Sequence, residues 1–170
     1  MQEIHRLDPA DLRLRSPIGA RLLALNNQHA TELSWLDADR FAELAARAFL
    51  SRRIGCVDAF LLAFDQDADY DSPNFQWFLA RYARFVYVDR IVVRPAARGR
   101  GLARRLYEDL FAEAARAGHA RVVCEVNQDP PNAASDAFHT ALGFAEVGNA
   151  TIHGGRKTVR YLVRPLAVQA

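Results

Sequence analysis

An extended run that stops at a proline and passes straight into a glycine-bearing helix start constrains this chain most. Val92-Val93-Arg94-Pro95 closes the run, Ala96-Ala97-Arg98-Gly99-Arg100-Gly101 is a basic turn, and Leu102-Ala103-Arg104-Arg105-Leu106 opens a helix. Proline ends the strand because it has no N–H to give to a ladder. From Arg98 to Ala103 the turn reads R-x-x-G-x-A. Glycine and alanine leave the main chain approachable, and N–H groups at a helix start attract an anion. The order of elements read along the whole chain, a strand, two helices, strands, a helix, a strand, a helix and strands, is that of an α/β fold with a mixed sheet.

Two familiar phosphate-binding turns do not fit. A Walker loop needs Gly-Lys-Ser/Thr to set a lysine on the phosphates and a hydroxyl on magnesium, but Leu102 and Ala103 follow Gly101. A dinucleotide fingerprint needs a third glycine for helix–strand packing, and Arg104 stands there. Ile91-Val92-Val93-Arg94-Pro95 through Arg98-Gly99-Arg100-Gly101-Leu102-Ala103 resembles the cofactor motif of the GNAT family of N-acetyltransferases. The plain alternative is an ordinary arginine-rich strand–turn–helix junction.

A second segment strengthens the resemblance. GNAT enzymes carry a strand with L-E-V, then an asparagine, then a helix ending in L-Y-x-x-L-G-F. Here Cys124-Glu125-Val126 is followed by Asn132 and by Phe138-His139-Thr140-Ala141-Leu142-Gly143-Phe144. His139 stands where the family has tyrosine, and Pro130-Pro131 lengthens the stretch before Asn132. The likeness runs from Phe85 to Phe144. It implies a mixed, mostly antiparallel sheet with a splayed parallel pair and helices on both faces. It also implies acetyl-CoA as co-substrate. The pantetheine arm would lie on the backbones of Ile91 and Val93, and the pyrophosphate over Arg98, Gly99, Arg100, Gly101, Leu102 and Ala103.

The chain of 170 residues is expected to form one domain over residues 1–170. No apolar run approaches the roughly 20 residues of a membrane span, and the first residues lack a secretion-signal layout, so the cytoplasm is expected. Cys56 and Cys124 give no disulfide framework or metal spacing, and both sit in apolar runs, so buried thiols are expected. A net charge of +2 does not by itself mark a nucleic-acid partner. The cluster Arg94, Arg98, Arg100, Arg104 and Arg105 keeps a nucleic-acid-binding domain as an alternative, although the glycines within it favour a small ligand.

Spacing predicts a strand at Glu3–Leu7 and a helix after Pro17 carrying Ile18, Leu22, Leu23 and Leu25. Asp37 or Asp39 caps a helix with Phe41, Leu44, Ala45, Ala48 and Phe49 on one face. A short hairpin joins Arg53–Cys56 to Val57–Phe64. After the acidic loop Asp65–Asn74 comes an aromatic helical turn to Tyr82. Strands follow at Phe85–Val93 and Arg121–Val126, with a helix Gly101–Ala117 between them facing Leu102, Leu106, Leu110, Phe111 and Ala114 inward. A helix at Ala133–Leu142 leads to strands Phe144–Val147 and Lys157–Val163, joined through Gly154-Gly155.

Acetyl transfer to an amine needs a base for the amine, polarisation of the thioester carbonyl and an acid for the leaving thiolate. Direct attack needs no covalent enzyme residue, so neither cysteine is a nucleophile here. By resemblance Glu125 is the base. Asp89 is its rival, because it interrupts an apolar strand and shares a face with Ile91 and Val93. His139 takes the acid's place, and Asn132 is a cofactor or strand-end contact. The loop Asp65–Asp71 is no EF-hand, since Tyr70 and Gln76 occupy the glycine and glutamate positions. It can instead attract a cationic amine, with Tyr70, Asn74 and Trp77 as a shaped wall. Asn27 and Glu32 fall where the family shapes its acceptor pocket. The acceptor expected is a primary amine on a small molecule or peptide end, with no nucleic acid, no membrane and no metal, and with room for a homodimer. A non-catalytic acyl-CoA-binding module of the same fold is the other alternative.

Overall fold

Side-chain caps set the first elements. β1 (Ile4–Arg6) leads to Asp8, whose carboxylate accepts from the Ala10 N–H and starts α1 (Pro9–Arg13). Ser16 caps α2 (Pro17–Gln28) by accepting from Gly19 N–H, with Pro17 in the first turn. A short α3 (Ala30–Leu33) precedes α4 (Ala38–Arg47). Asp37 rather than Asp39 caps α4, accepting from Arg40 N–H at 2.7 Å. In this computed structural model, which describes residues 1–167, two compact units form. One comprises Met1–Phe64 and Val88–Leu110. The other comprises Asp65–Tyr87 and the described chain from Phe111 on.

In the first unit β2 (Leu50–Ile54) pairs antiparallel with both β1 and β3 (Ala59–Asp65), in registers that include Ile4–Ile54 and Leu50–Ala63. Every residue from Ala59 to Phe64 is buried, so this strand reads as a continuous apolar run. Leu12, Leu22, Phe41 and Phe60 are buried, with the rings of Phe41 and Phe60 5.5 Å apart. The hairpin differs from the sequence expectation. Its first strand begins at Leu50, and Gly55–Asp58 forms the turn. Cys56 is therefore exposed, while Cys124 is buried as expected. Neither α1 nor α3 was expected; both are too short to show helical periodicity.

α5 (Pro73–Leu79) precedes β4 (Val86–Val93), which starts in the second unit and ends in the first. A 3₁₀ turn at Pro95–Ala97 follows, then α6 (Leu102–Arg116). β5 (Arg121–Asp129), α7 (Ala133–Ala141), β6 (Ala145–Ile152) and β7 (Lys157–Pro165) complete the chain. The strand order is β1-β2-β3-β4-β5-β7-β6. The parallel ladder of β4 with β5 consists of Val86–Val122 and Tyr87–Val123. β7 pairs antiparallel with β5 and with β6. β5 runs past the expected end at Val126, because β7 supplies backbone partners as far as Asp129 across a register shift. Phe111 is half-buried rather than inward, and the guanidinium of Arg164 lies 3.9 Å over its ring. No helix among the described residues is long and apolar enough to cross a membrane.

Candidate functional site

The turn between β4 and α6 is built in the first unit. Gly99 and Gly101 hold φ of +73° and +72°, where a side chain strains the backbone. A Cβ built on either meets nothing within 4 Å, so the space over both is open. Ala97 and Leu102 are buried and anchor the turn, while Arg98, Gly99, Arg100 and Gly101 are exposed and Ala103 is half-buried. Arg100 donates to Gln2 Oε1 at 3.4 Å, and Arg105 donates to the Gln2 carbonyl at 2.6 Å. Arg98 lies 3.2 Å from His29 Nε2. An exposed basic turn with open main chain fits a pyrophosphate. On β4, Ile91 and Val93 are half-buried and alternate with buried Val92.

Asp89 belongs to a buried polar network. Its Oδ2 accepts from Arg90 Nε at 3.0 Å, and the two side chains are 6% and 3% exposed. Arg90 also donates to Asn26 Oδ1 at 2.8 Å, to the Ser34 carbonyl at 3.1 Å and to Ser34 Oγ at 3.0 Å. Asn27 grips Leu36 from both sides, donating to its carbonyl at 2.9 Å and accepting from its N–H at 3.0 Å. These bonds pin the segment after α3, in which Ser34 has φ of +74° and Trp35 is 65% exposed. Glu32 is exposed on α3. Within this unit Asn27 is thus a loop clamp, and the carboxylate of Asp89 is engaged by arginine.

Glu125 stands in the second unit, in the middle of β5. Tyr87, buried on β4, donates its hydroxyl to Glu125 Oε1 at 3.1 Å. Tyr87 pairs with Val123, two residues before Glu125, so the β4–β5 register brings phenol and carboxylate to one face. Across the other ladder Glu125 is the register partner of Tyr161 on β7. Tyr161 is buried and donates to Asn74 Oδ1 at 2.9 Å. Burial, and secondly the charge of Glu125, push the Tyr161 phenol up to about 12, so it stays a neutral donor. Trp77 stacks on Tyr161 with ring centroids 4.1 Å apart. Gly148 on β6 makes room for that indole, since a Cβ there would come within 2.6 Å of it. Tyr70 joins through Phe75, their ring centroids 5.7 Å apart.

His139 is buried on α7, its ring packed edge-on against Phe138 and Phe144. Its Nδ1 lies 2.7 Å from the Ser135 carbonyl, which can only accept, so Nδ1 carries a proton and neutral Nε2 is an acceptor. Burial lowers the imidazole below its usual range, against smaller raising effects of the Ser135 bond and Asp136. Donation from Nε2 therefore requires the imidazolium. Asn132 is exposed and caps α7 by accepting from Ser135 N–H at 3.2 Å. Among the described residues no group of three or more His, Cys, Asp or Glu side chains is placed to hold a metal ion.

Of the residues singled out in the sequence, the second unit brings together Glu125, Asn74, Trp77 and, through Phe75, Tyr70. Sequence reasoning missed Tyr87 and Tyr161. Alternation marks Tyr87 as sharing a face with Asp89, Ile91 and Val93, but its partner depends on a register between strands far apart in the chain.

The sequence profile of the Acetyltransferase (GNAT) family matches residues 27–144. A search of curated protein sequences returns no match. Among solved structures, the ribosomal-protein-S18-alanine N-acetyltransferase of Escherichia coli is similar at a TM-score of 0.70 and 21% identity, covering 100% of this chain and 97% of its own. Naa20 of Chaetomium thermophilum, solved with a bisubstrate analogue, is similar at 0.73 and 18%, covering 98% and 87%. NAA60 of Arabidopsis thaliana, solved with acetyl-CoA, is similar at 0.70 and 14%, covering 97% and 98%. At these identities the likeness shows the fold, and the profile match shows the family: the chain belongs to the GNAT family of acetyltransferases.

Proposed function

We propose that this chain moves the acetyl group of acetyl-CoA to a primary amine, on a small molecule or a peptide end, by direct attack within a ternary complex. The observation that carries this reading is the carboxylate of Glu125, held by the Tyr87 hydroxyl and set opposite Tyr161 among aromatic side chains. An acetyl thioester supplies an activated acyl group; what the chain must add is positioning and proton movement. The main-chain groups of Ile91 and Val93 hold the pantetheine amides, and the turn from Arg98 to Ala103 holds the pyrophosphate, with Asn132 a further contact. Glu125 accepts the ammonium proton, and Tyr87 stabilises the charged carboxylate by donating to it. Asn74, Trp77 and Tyr70 shape the acceptor wall. Glu32 adds negative charge, and Asn27 acts through the loop that it clamps. His139 donates to the leaving thiolate through Nε2 in its imidazolium form. Asp89 keeps Arg90 in place, which leaves Glu125 as the base.

Release of free thiol from acetyl-CoA, measured against a panel of amines and amino-terminal peptides, tests the reading. Turnover with at least one amine, lost in Glu125→Gln while acetyl-CoA affinity holds, is the expected result. Binding of acetyl-CoA with no turnover on any amine would instead favour a regulatory acyl-CoA-binding module. The observation behind that second reading is the histidine in the tyrosine frame, with its Nδ1 proton already committed to Ser135.

A further inference from the structure

A cavity of about 410 Å³ in the first unit is lined by none of the residues given a role in the proposed reaction. Arg21 from α2 and Arg94 from the end of β4 both line it. The Arg94 N–H donates to the Asp58 carbonyl at 2.8 Å, and its Nε and Nη2 donate to Asp58 Oδ1 at 2.9 and 2.5 Å. Asp58 thereby fixes the direction of Arg94 while taking two of its three guanidinium nitrogens. Gln2 and Arg94, both hydrogen-bonded to Asp58, hold its carboxyl below the usual range, so it stays ionised. The other guanidinium has a weaker partner, since Arg21 Nη1 reaches the sulfur of Cys56 and a thiol is a poor acceptor. Two arginines thus face one carboxylate, which leaves the wall with a net positive charge. Leu25 and Val57 supply an apolar side, and Gln28 a neutral amide.

A concave site of this size, with an apolar side and a few fixed polar groups, suits a small molecule. Pre-oriented guanidinium groups select oxyanions, because their planar forks match carboxylate and phosphate. We infer that this cavity binds a small organic oxyanion, a carboxylate or phosphate ester on a short apolar body, with its charged end between Arg21 and Arg94. The same chemistry has a second source. Arg94 directly precedes the turn at Pro95, so a cofactor's ribose phosphate is the competitor to be separated from a free ligand.

The probes are benzoate and phenyl phosphate, with benzamide as the neutral control. Titration of ¹⁵N-labelled full-length protein, read at the amides of Cys56, Val57, Asp58 and Arg94, gives the affinities. Saturable shifts with benzoate or phenyl phosphate, and none with benzamide, are expected. Arg21→Gln should weaken the oxyanion at least tenfold. Ala24→Phe, which fills the cavity without touching a charge, should abolish binding. Thermal melting confirms that each variant is folded, and exposed Arg47→Gln should change nothing. Absence of saturable shifts, equal shifts with benzamide, or unchanged affinity in both variants would overturn the inference. A third arm adds saturating CoA or dephospho-CoA. If CoA blocks benzoate and dephospho-CoA does not, the cavity belongs to the cofactor's ribose phosphate and the inference falls. Benzoate binding that persists with both ligands supports it.

Discussion

Glu125 and Tyr87 come from strands joined by one short parallel ladder, and their pairing sets distinct expectations for each residue. Glu125→Gln should lower turnover by about 10²–10⁴, the usual range for loss of a proton acceptor, with acetyl-CoA affinity unchanged by calorimetry. Tyr87→Phe removes a bond to the ionised carboxylate, so the acid limb of the pH–rate profile should move to higher pH. A limb that stays in place would show that the phenol does not tune the base. For Asp89, the network predicts damage to stability before chemistry. Arg90→Met would leave its carboxylate buried without its arginine, at a cost of about 3–5 kcal/mol by denaturant unfolding. Should Asp89→Asn cost more turnover than Glu125→Gln while melting like the parent, the base would be Asp89. His139→Tyr should carry the basic limb toward alkaline pH, because a phenol keeps its proton where a buried imidazole has lost it. Glu125 drew notice in the sequence because it stands in a recognisable motif frame. Tyr161 was not, because its hydroxyl is answered by Asn74, 87 residues away, a pairing that local pattern does not encode.

Among the elements, the turn before α6 was the most legible, since a proline, two glycines and a helical pattern mark it within a few residues. The structure adds that both glycines hold positive φ beneath open space. Gly101→Val should therefore weaken acetyl-CoA at least tenfold, by straining the turn and covering its main chain. A folded variant of unchanged affinity would remove the turn from the cofactor site. Replacing Arg98 and Arg100 together with alanine should weaken CoA more than dephospho-CoA if either guanidinium reaches the ribose phosphate. Equal losses would confine both to the pyrophosphate. The β2–β3 hairpin was half legible. Its apolar second strand stood out, but the first arm was expected at Arg53–Cys56, whereas the strand begins at Leu50, and Ser51-Arg52 carry no apolar pattern to mark it. The reason is visible in the packing: Ser51 is buried, whereas Arg52 is half-buried and reaches Asp109 on α6 at 2.9 Å. Polar side chains with such partners do not keep a segment out of a sheet.

For the molecule as a whole, stability should depend on pH through its buried histidines. Burial lowers both His119 and His139 from the ordinary value of 6.5. Unfolded chains take up these protons near that value while the folded protein does not. Stability should thus be full above pH 6.5 and decline as pH falls below it. Melting temperature measured from pH 8 to pH 5 checks this, and His119→Gln with His139→Gln should flatten the slope even if the variant melts lower throughout. The sequence made the element order from β4 onward readable, because motifs and periodic helices dominate that half. Earlier, short helices at Pro9–Arg13 and Ala30–Leu33 left too little pattern to see.

The stack of Trp77 on Tyr161 has an optical consequence. The chain has two tryptophans. Trp35 is 65% exposed, whereas Trp77 lies against Tyr161 with the guanidinium carbon of Arg81 3.7 Å from its ring centroid. Their emission should differ in colour and in access to quenchers such as iodide. Trp35→Phe would leave one fluorophore, stacked on the tyrosine that faces Glu125 across the ladder. An arriving amine acceptor could then be followed by the light of a native side chain, with no label attached.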